Sequence, residues 1–307
     1  MEPNPLPATA SRDNPDQGWL PIREIARLTG VNAVTLRAWE RRYGLIVPHR
    51  TPKGHRLYTR EQVQQVLTIL TWLNRGVAVS QVRHLLESAP TFNVPVQNDW
   101  QRLRQVLRLA ISQLAERKVD DAFNQAMALY PPRTLCEQLL MPLLAELEQH
   151  WQGQAGSRSE QVFFYSWLRS KLGARIYHNN RQLQGAPLLL VNQSDLPLEP
   201  HLWLTAWLAS SADCPVEVFD WPLPGGELAL ATERLQARGL LLYSSKALNP
   251  AQLPRLLGGI ACQKFIAGPT VCIHPAEWSV CITEIADLYL AQDPIAAYQA
   301  LLERGLF

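Results

Sequence analysis

Apolar positions recur along the chain at two periods, helical in the first part and strand-like in runs beyond Gly185. In PIREIARLT, Ile22, Ile25, Ala26 and Leu28 share one helical face, with Pro21 suited to the first turn and Gly30 to the stop. Asn32 is a cap for the next helix, NAVTLRAWERRYG, in which Leu36, Trp39 and Tyr43 recur at spacings of three and four and so face inward. Two short helices across so tight a turn predict a helix-turn-helix. Past Pro48, HRTPKGHRLYT sets Pro52 and Gly54 in a turn between two short extended pieces, a hairpin wing. Thr59 then caps REQVQQVLTILTWLNRG, with Val63, Val66, Leu67, Leu70 and Leu73 as its inner stripe, and SQVRHLLES follows Gly76 as a shorter helix.

The winged helix-turn-helix is expected over residues 18–88, after a polar, proline-rich tail at 1–17 expected to be disordered and before a linker at 89–98, APTFNVPVQN. Helical patterns at 99–116, 119–130, 133–152 (interrupted by Pro142) and 158–180 predict a four-helix bundle over 99–181, with Ser157 and Glu160 as a capping box for the last. Over 186–307 the strand candidates APLLLVNQ, VEVFDW, GLLLYSS and KFIAGP alternate with the helical stretches HLWLTAWLASSA, ELALATERLQAR and PAQLPRLLGGIA, and DPIAAYQALLERGL closes the chain. That alternation predicts a Rossmann-like parallel sheet, whose ligands belong in the loops after Asn192, Asp220, Ser244 and Gly268. The fold class is thus multidomain, α followed by α/β.

Charge changes this picture. Residues 18–90 carry eleven Lys/Arg against four Asp/Glu, whereas 91–307 carry seventeen against twenty, so a net charge of only +2 hides a basic first domain. Such a segment is what phosphate contact requires. On the second helix Thr35, Ala38 and Arg42 are expected on the face opposite the apolar one, flanked by Arg37 and Arg41, with Glu40 only tempering the charge. Arg50, Lys53, His55 and Arg56 crowd the wing, and Tyr58 ends it. These ten residues, Glu40 excepted, are the candidate DNA contacts, since arginine grips guanine bidentately in the major groove. Glu61 is an alternative, structural partner for Arg41. Trp39, Tyr43 and Leu57 read as core.

Other chemistry finds little support. The five cysteines lack CxxC spacing, which gives neither a zinc site nor a disulfide framework, and no metal site is expected. GxGxxG after the first strand, P-loop, HExxH and GxSxG patterns are absent, so no catalytic residue is assigned and a non-enzyme is expected. No apolar run approaches the roughly 20 residues of a membrane span, and the start lacks a signal-peptide core, which places the protein in the cytoplasm with the nucleoid.

IREIARLTGVNAVTLRAWERRYGLIVPHRTPKGHRLY closely resembles the DNA-binding domain of the MerR family, and RAWERRYG with GHRLY resembles its CarH and MlrA branch. The resemblance implies a transcription regulator that binds inverted-repeat promoter DNA as a homodimer or higher oligomer and meets RNA polymerase at the promoter. It also implies a cobalamin-binding half, to which this chain matches only in part. Where the branch has Trp, nine residues and Glu-His, this chain has Trp151, eight residues, Glu160 and Gln161. The cobalt-ligand loop, (Asp/Glu)-x-His-x-x-Gly, is matched by Glu199-x-His201 with Leu204 in place of glycine, and the later Gly-Gly is reduced to Gly268-Pro269 beside Ser244 and Ser245. A leucine fills space that glycine leaves open. Standard cobalamin binding is therefore not expected, and the carboxyl half is left as a sensor of another small molecule, a partner for a protein antagonist or an assembly module. A CarH-type light-responsive regulator, and a corrinoid-dependent enzyme or carrier, are the alternatives.

Overall fold

The computed structural model describes residues 18–87, 99–152, 156–194, 196–273 and 275–307. The expected tail at 1–17 and the expected linker at 89–98 lie outside the described residues. Two compact units are present, one up to Val96 and one from Gln97.

In the first unit α1 (Ile22–Thr29) ends at Gly30, whose φ of 69° is the left-handed stop that glycine permits, and α2 (Ala33–Ala38) begins where Asn32 accepts the Thr35 N–H at 2.8 Å. The second helix does not run on as an α-helix. It widens into a π turn at Trp39–Tyr43 and stops at Gly44. β1 (Leu20–Pro21), β2 (His49–Arg50) and β3 (Arg56–Tyr58) form an antiparallel sheet in the order β1-β3-β2, of which β2 and β3 are the wing. α3 (Arg60–Asn74) opens with a capping box of Thr59 and Gln62, and α4 (Val79–Glu87) follows. Ile25, Leu36, Trp39, Ile46, Tyr58, Val66, Ile69 and Leu73 fill the core. Leu28 and Leu67, expected inside, are 44% and 37% exposed, because the buried stripes are narrower and run through Ile25 and Thr29 on α1 and through Ile69 on α3.

The second unit begins with the bundle: α5 (Asp99–Ser112), α6 (Glu116–Leu129), α7 (Pro132–Leu135) leading through a π turn at Cys136–Leu140 into α8 (Met141–Trp151), and α9 (Ser157–Asn180). Pro142 does not interrupt this third helix. Proline lacks the N–H that would reach the carbonyl four residues back, here Gln138, and the wide turn leaves that carbonyl to accept Arg104 Nη1 at 3.2 Å while Arg104 Nε donates to Glu146 at 2.7 Å. One arginine of α5 thereby answers the defect in the helix beside it. The Ser157 capping box does not form either. Gly156, at φ 86°, is the cap position, Ser157 donates to the Trp151 carbonyl, and Glu160 turns to the Trp151 indole.

β4 (Leu188–Asn192), β5 (Val216–Phe219), β6 (Gly239–Tyr243), β7 (Gln263–Ala267) and β8 (Leu288–Ala291) make a parallel sheet in the order β5-β4-β6-β7-β8. α10 (Pro200–Ser211), α11 (Gly225–Arg234), α12 (Leu253–Leu256), α13 (Thr270–Ile273), α14 (Pro275–Glu284) and α15 (Pro294–Glu303) complete the domain. The fifth strand was not expected from the sequence. The order reverses between β4 and β6, the place where open sheets of this type bind ligands. Asn180, at the end of α9, covers the free edge of β5 by exchanging two hydrogen bonds with the Val216 backbone, as a neighbouring strand would.

Two stability measurements check this reading. Arg104→Leu should lower stability by about 1–3 kcal/mol by removing the Arg104 hydrogen bonds to the Gln138 carbonyl and to Glu146, which keeps Arg108 at 3.6 Å, measured as a lower urea midpoint by circular dichroism. In a Pro142→Ala background, which restores an N–H, that loss should shrink by at least ~0.5 kcal/mol; equal losses would mean that the carbonyl contact is unimportant. Gly268 has φ 104°, and a Cβ there would lie 2.4 Å from the Ser244 carbonyl oxygen, whereas one on Gly226 meets nothing within 4 Å. Gly268→Ala should therefore cost roughly 1–3 kcal/mol or more and Gly226→Ala, within a helix, should gain about 0.5–1 kcal/mol, seen as opposite shifts in thermal unfolding.

Candidate nucleic-acid interface and ligand cavity

On the first unit, Arg37, Arg41 and Arg42 are exposed on the second helix and its π turn, and Arg50, Lys53 and His55 are exposed on the wing. Glu40 joins the two elements. Its Oε1 accepts Arg50 Nη2 at 2.6 Å and its Oε2 accepts Arg56 Nε at 2.5 Å. Burial works against the carboxylate charge, but the Arg56 and Arg50 guanidiniums hold Glu40 below the usual carboxylate range. The arginines that are tied down are thus the two of the wing, and Glu40 does more than temper charge. Sequence reasoning missed this role, although a lone acid inside an arginine-rich helix was the available signal.

Three expected contacts do not lie on the presented surface. Thr35 and Ala38 are buried, at 0% and 5% exposure, because the stripe that packs inward includes Thr35, Leu36, Ala38 and Trp39 together. Tyr58 is 1% exposed, and burial followed by the nearby Glu40 raises its hydroxyl above the ordinary phenol range. The hydroxyls of Thr35 and Tyr58 find no partner among the described residues. Arg56 stands between the two groups, its side chain 18% exposed and engaged with Glu40.

In the second unit a cavity of about 730 Å³ opens where α8 and α9 face the loops after β4 and β6. Trp151, Gln161, Glu199, His201 and Ser245, all selected from the sequence, line it together. Trp151 and Tyr165 make an aromatic corner, with ring centroids 5.6 Å apart and planes at 76°. Glu160 stands behind it, accepting the Trp151 indole N–H at 3.2 Å. Tyr165 donates its hydroxyl to Glu148 at 2.9 Å, and its titration is raised by burial, then by Glu148 and, less strongly, Glu199. Neither Glu148 nor Tyr165 was foreseen, since nothing in local spacing sets them apart from other bundle residues.

Glu199 is 2% exposed yet well satisfied: it accepts Ser245 Oγ at 2.6 Å and Ser194 Oγ at 2.8 Å, and His201 Nδ1 lies 3.7 Å away. Burial opposes its charge, but His201 and the two hydroxyls hold its carboxyl below the usual range. His201 sits in the first turn of α10, parallel to Tyr243 at 6.2 Å between centroids. Ser244 and Gly268 do not reach the cavity: Ser244 is fully buried with its hydroxyl on the Lys246 carbonyl, and Gly268 is pressed against the Ser244 backbone. The loop after Asp220 also stays out, since Asp220 accepts Arg169 at 2.6 Å and the Trp203 indole at 2.7 Å.

A corrinoid fits this arrangement in part. The pairing of a histidine with a carboxylate behind it is what metal ligation uses, and Glu199, His201 and Ser245 keep it. The ground beneath is closed, however. Leu204 is 0% and Tyr243 1% exposed, and a Cβ on Gly268 would lie 2.4 Å from the Ser244 carbonyl oxygen, so the strand ends there are closely packed. Leucine at position 204 is thus packed into the core where the family pattern has glycine. Among the described residues no group of His, Cys, Asp and Glu is placed to hold a metal ion, and no helix is long and apolar enough to cross a membrane.

Comparison with known proteins agrees with this division. Residues 20–89 match the model of the MerR HTH family regulatory protein, and residues 103–176 match that of the B12 binding domain. The HTH-type transcriptional regulator MlrA of Escherichia coli K12 is 30% identical over 235 residues, covering 76% of this chain and 92% of MlrA. The HTH-type transcriptional repressors CarH and CarA of Myxococcus xanthus are 28% and 33% identical over 49% and 42% of this chain, and over 54% and 44% of their own lengths. A solved structure, the methanol:cobalamin methyltransferase complex MtaBC from Methanosarcina barkeri, spans 81% of this chain and 93% of its own at 12% identity and a TM-score of 0.33, too low to carry an argument. With a MerR-type helix-turn-helix, a B12-type helical domain, a parallel sheet and a relative matched over nearly its whole length, this chain belongs to the MlrA-like branch of the MerR family of DNA-binding transcription regulators.

Proposed function

We propose that the protein regulates transcription as a homodimer or higher homo-oligomer on an inverted repeat in promoter DNA. Arg37, Arg41 and Arg42 enter the major groove, and Arg50, Lys53 and His55 of the wing meet the adjacent backbone. The observation that carries this reading is the bridge from Glu40 to Arg50 and Arg56, which holds the wing against the recognition helix before any DNA is met. Preformed orientation reduces the ordering cost of binding. A two-fold operator needs two modules, which is the reason for the oligomer. The protein works with RNA polymerase at the promoter, in the cytoplasm with the nucleoid, and is not an enzyme.

In the same reading the second unit is a sensor that takes a signal at its cavity without seating cobalamin in the standard way. Closure of the ground under His201 supports this. A protein antagonist acting on the same unit is the second reading, favoured by the exposed Val106 and Leu109 on α5, at 49% and 61%.

The test is affinity of the full chain for its own upstream DNA across a salt series. Arg41→Ala should weaken binding and lower the slope of log affinity against log salt by about 0.9, one phosphate's worth of counterions; an unchanged slope would remove Arg41 from the interface. Glu40→Gln should behave differently. It frees two wing cations, so non-specific affinity should hold or rise while preference for the promoter over unrelated DNA falls roughly ten-fold, a loss of about 1.4 kcal/mol. Retained preference would show that the bridge does not position the wing.

A further inference from the structure

The cavity's walls are more informative than its volume. Two carboxylates border it, Glu148 and Glu199, and among the described residues no basic side chain pairs with Glu148, while Glu199 faces only His201, at 3.7 Å. The remaining basic group, Arg158, is exposed and donates to Gln161 Oε1 at 2.8 Å. The electrostatic character of the inner wall is therefore negative. A phosphate or carboxylate ligand would sit against like charge with no buried cation to receive it.

The other wall element is aromatic. Trp151 and Tyr165 meet nearly at right angles, and each polar tip is already satisfied, by Glu160 and Glu148. Their remaining demand on a ligand is for contact with ring surface, and a cation lying against such rings is attracted by their quadrupoles. Apolar contact from Val162, Leu196 and Leu198 completes the lining. A cavity of about 730 Å³ falls within the roughly 300–1,000 Å³ of sites for drug-sized molecules.

From these observations we propose that the cavity binds a small aromatic organic cation, its rings in the corner of Trp151 and Tyr165 and its charged nitrogen directed to Glu148 and Glu199. The inference rests on the reading of the second unit as a sensor and names the class of its ligand. Hydrogen bonds from Ser194 and Ser245 to Glu199 keep that carboxylate fixed and ionised without cancelling its charge. Solvation lost by the cation on entry is thereby replaced by preoriented acceptors.

The probe is proflavine, a planar tricyclic cation, titrated into the DNA-free full-length protein and followed by fluorescence anisotropy. Fluorescein, of similar size and opposite charge, and hydroxocobalamin are titrated alongside. Saturable binding of one proflavine per chain is expected, weakened about ten-fold by Glu148→Gln and by Glu199→Gln, the loss of one well-placed charge. Glu148→Gln keeps an oxygen for the Tyr165 hydroxyl, so it decides the matter if Glu199→Gln disturbs the circular dichroism spectrum. Absence of proflavine binding, binding insensitive to Glu148→Gln, or tighter uptake of fluorescein or hydroxocobalamin would each overturn the proposal. Promoter affinity measured on the same samples keeps the two readings apart, because loss of promoter binding by the unaltered protein would strike at the regulator and leave the ligand class untouched.

Discussion

Helix α10 is apolar around its whole circumference, and the second unit is built to bury it. Every residue from Leu202 to Ser210 is buried, with α9 on one side and β4, β5 and α15 on the others. A helix with no polar face has no stable place at a surface, so the bundle and the sheet are both required to cover it. His201 is only partly buried, while Pro200 before it and the residues after it are buried, and it lies where the cavity opens. The cavity lies at the start of this helix, where α8 and α9 face the loops of the sheet.

The first unit solves a different problem, that of holding a two-stranded wing which cannot be stable alone. A third, two-residue strand at Leu20–Pro21 pairs with β3, and Glu40 fastens the hairpin from the other side. Because Glu40 belongs to the π turn, the geometry of that turn and the position of the wing are coupled. Arg41 and Arg42 leave the same turn and remain exposed. A rotation of the turn would therefore move the groove-facing arginines and the wing together.

What the sequence disclosed follows the strength of local signals. Asn32 and Thr59 were legible as caps because side-chain acceptors act on N–H groups two or three residues away, and both bonds are present. Four strands were legible from short apolar stretches, such as the unbroken Leu188–Val191 and the alternating Val216–Phe219. β8 escaped because LYLA follows α14 after only three residues, 285–287, so its apolar run merges with the helical pattern before it, and pairing with β7 defines it. The inward turn of Thr35 and Ala38 escaped because a strict 3.6-residue period places them outside, whereas the packed stripe is two residues wide at each turn. Pro142 misled for the complementary reason: its remedy, Arg104, lies thirty-eight positions away in the sequence. Within the cavity, the residues with motif-like spacing were found, while Glu148 and Tyr165, brought in by the packing of α8 on α9, were not.

The same distinction bears on how a site can change its ligand while its fold persists. Glu199, His201 and Ser245 are held by α10 and by the end of β6, elements that must keep their places for the core to close, and so the pairing survives whatever occupies the cavity. The positions around it have no such constraint, because a larger side chain at a strand end or near the start of α10 adds buried apolar surface and stability. Leu204 and Tyr243 are both buried in this way. The cavity beside them keeps Glu148 and Glu199 on its wall. The residues fixed by the core and those free to vary are thus separate, which lets the lining of such a cavity change while α9, α10 and the sheet keep their places.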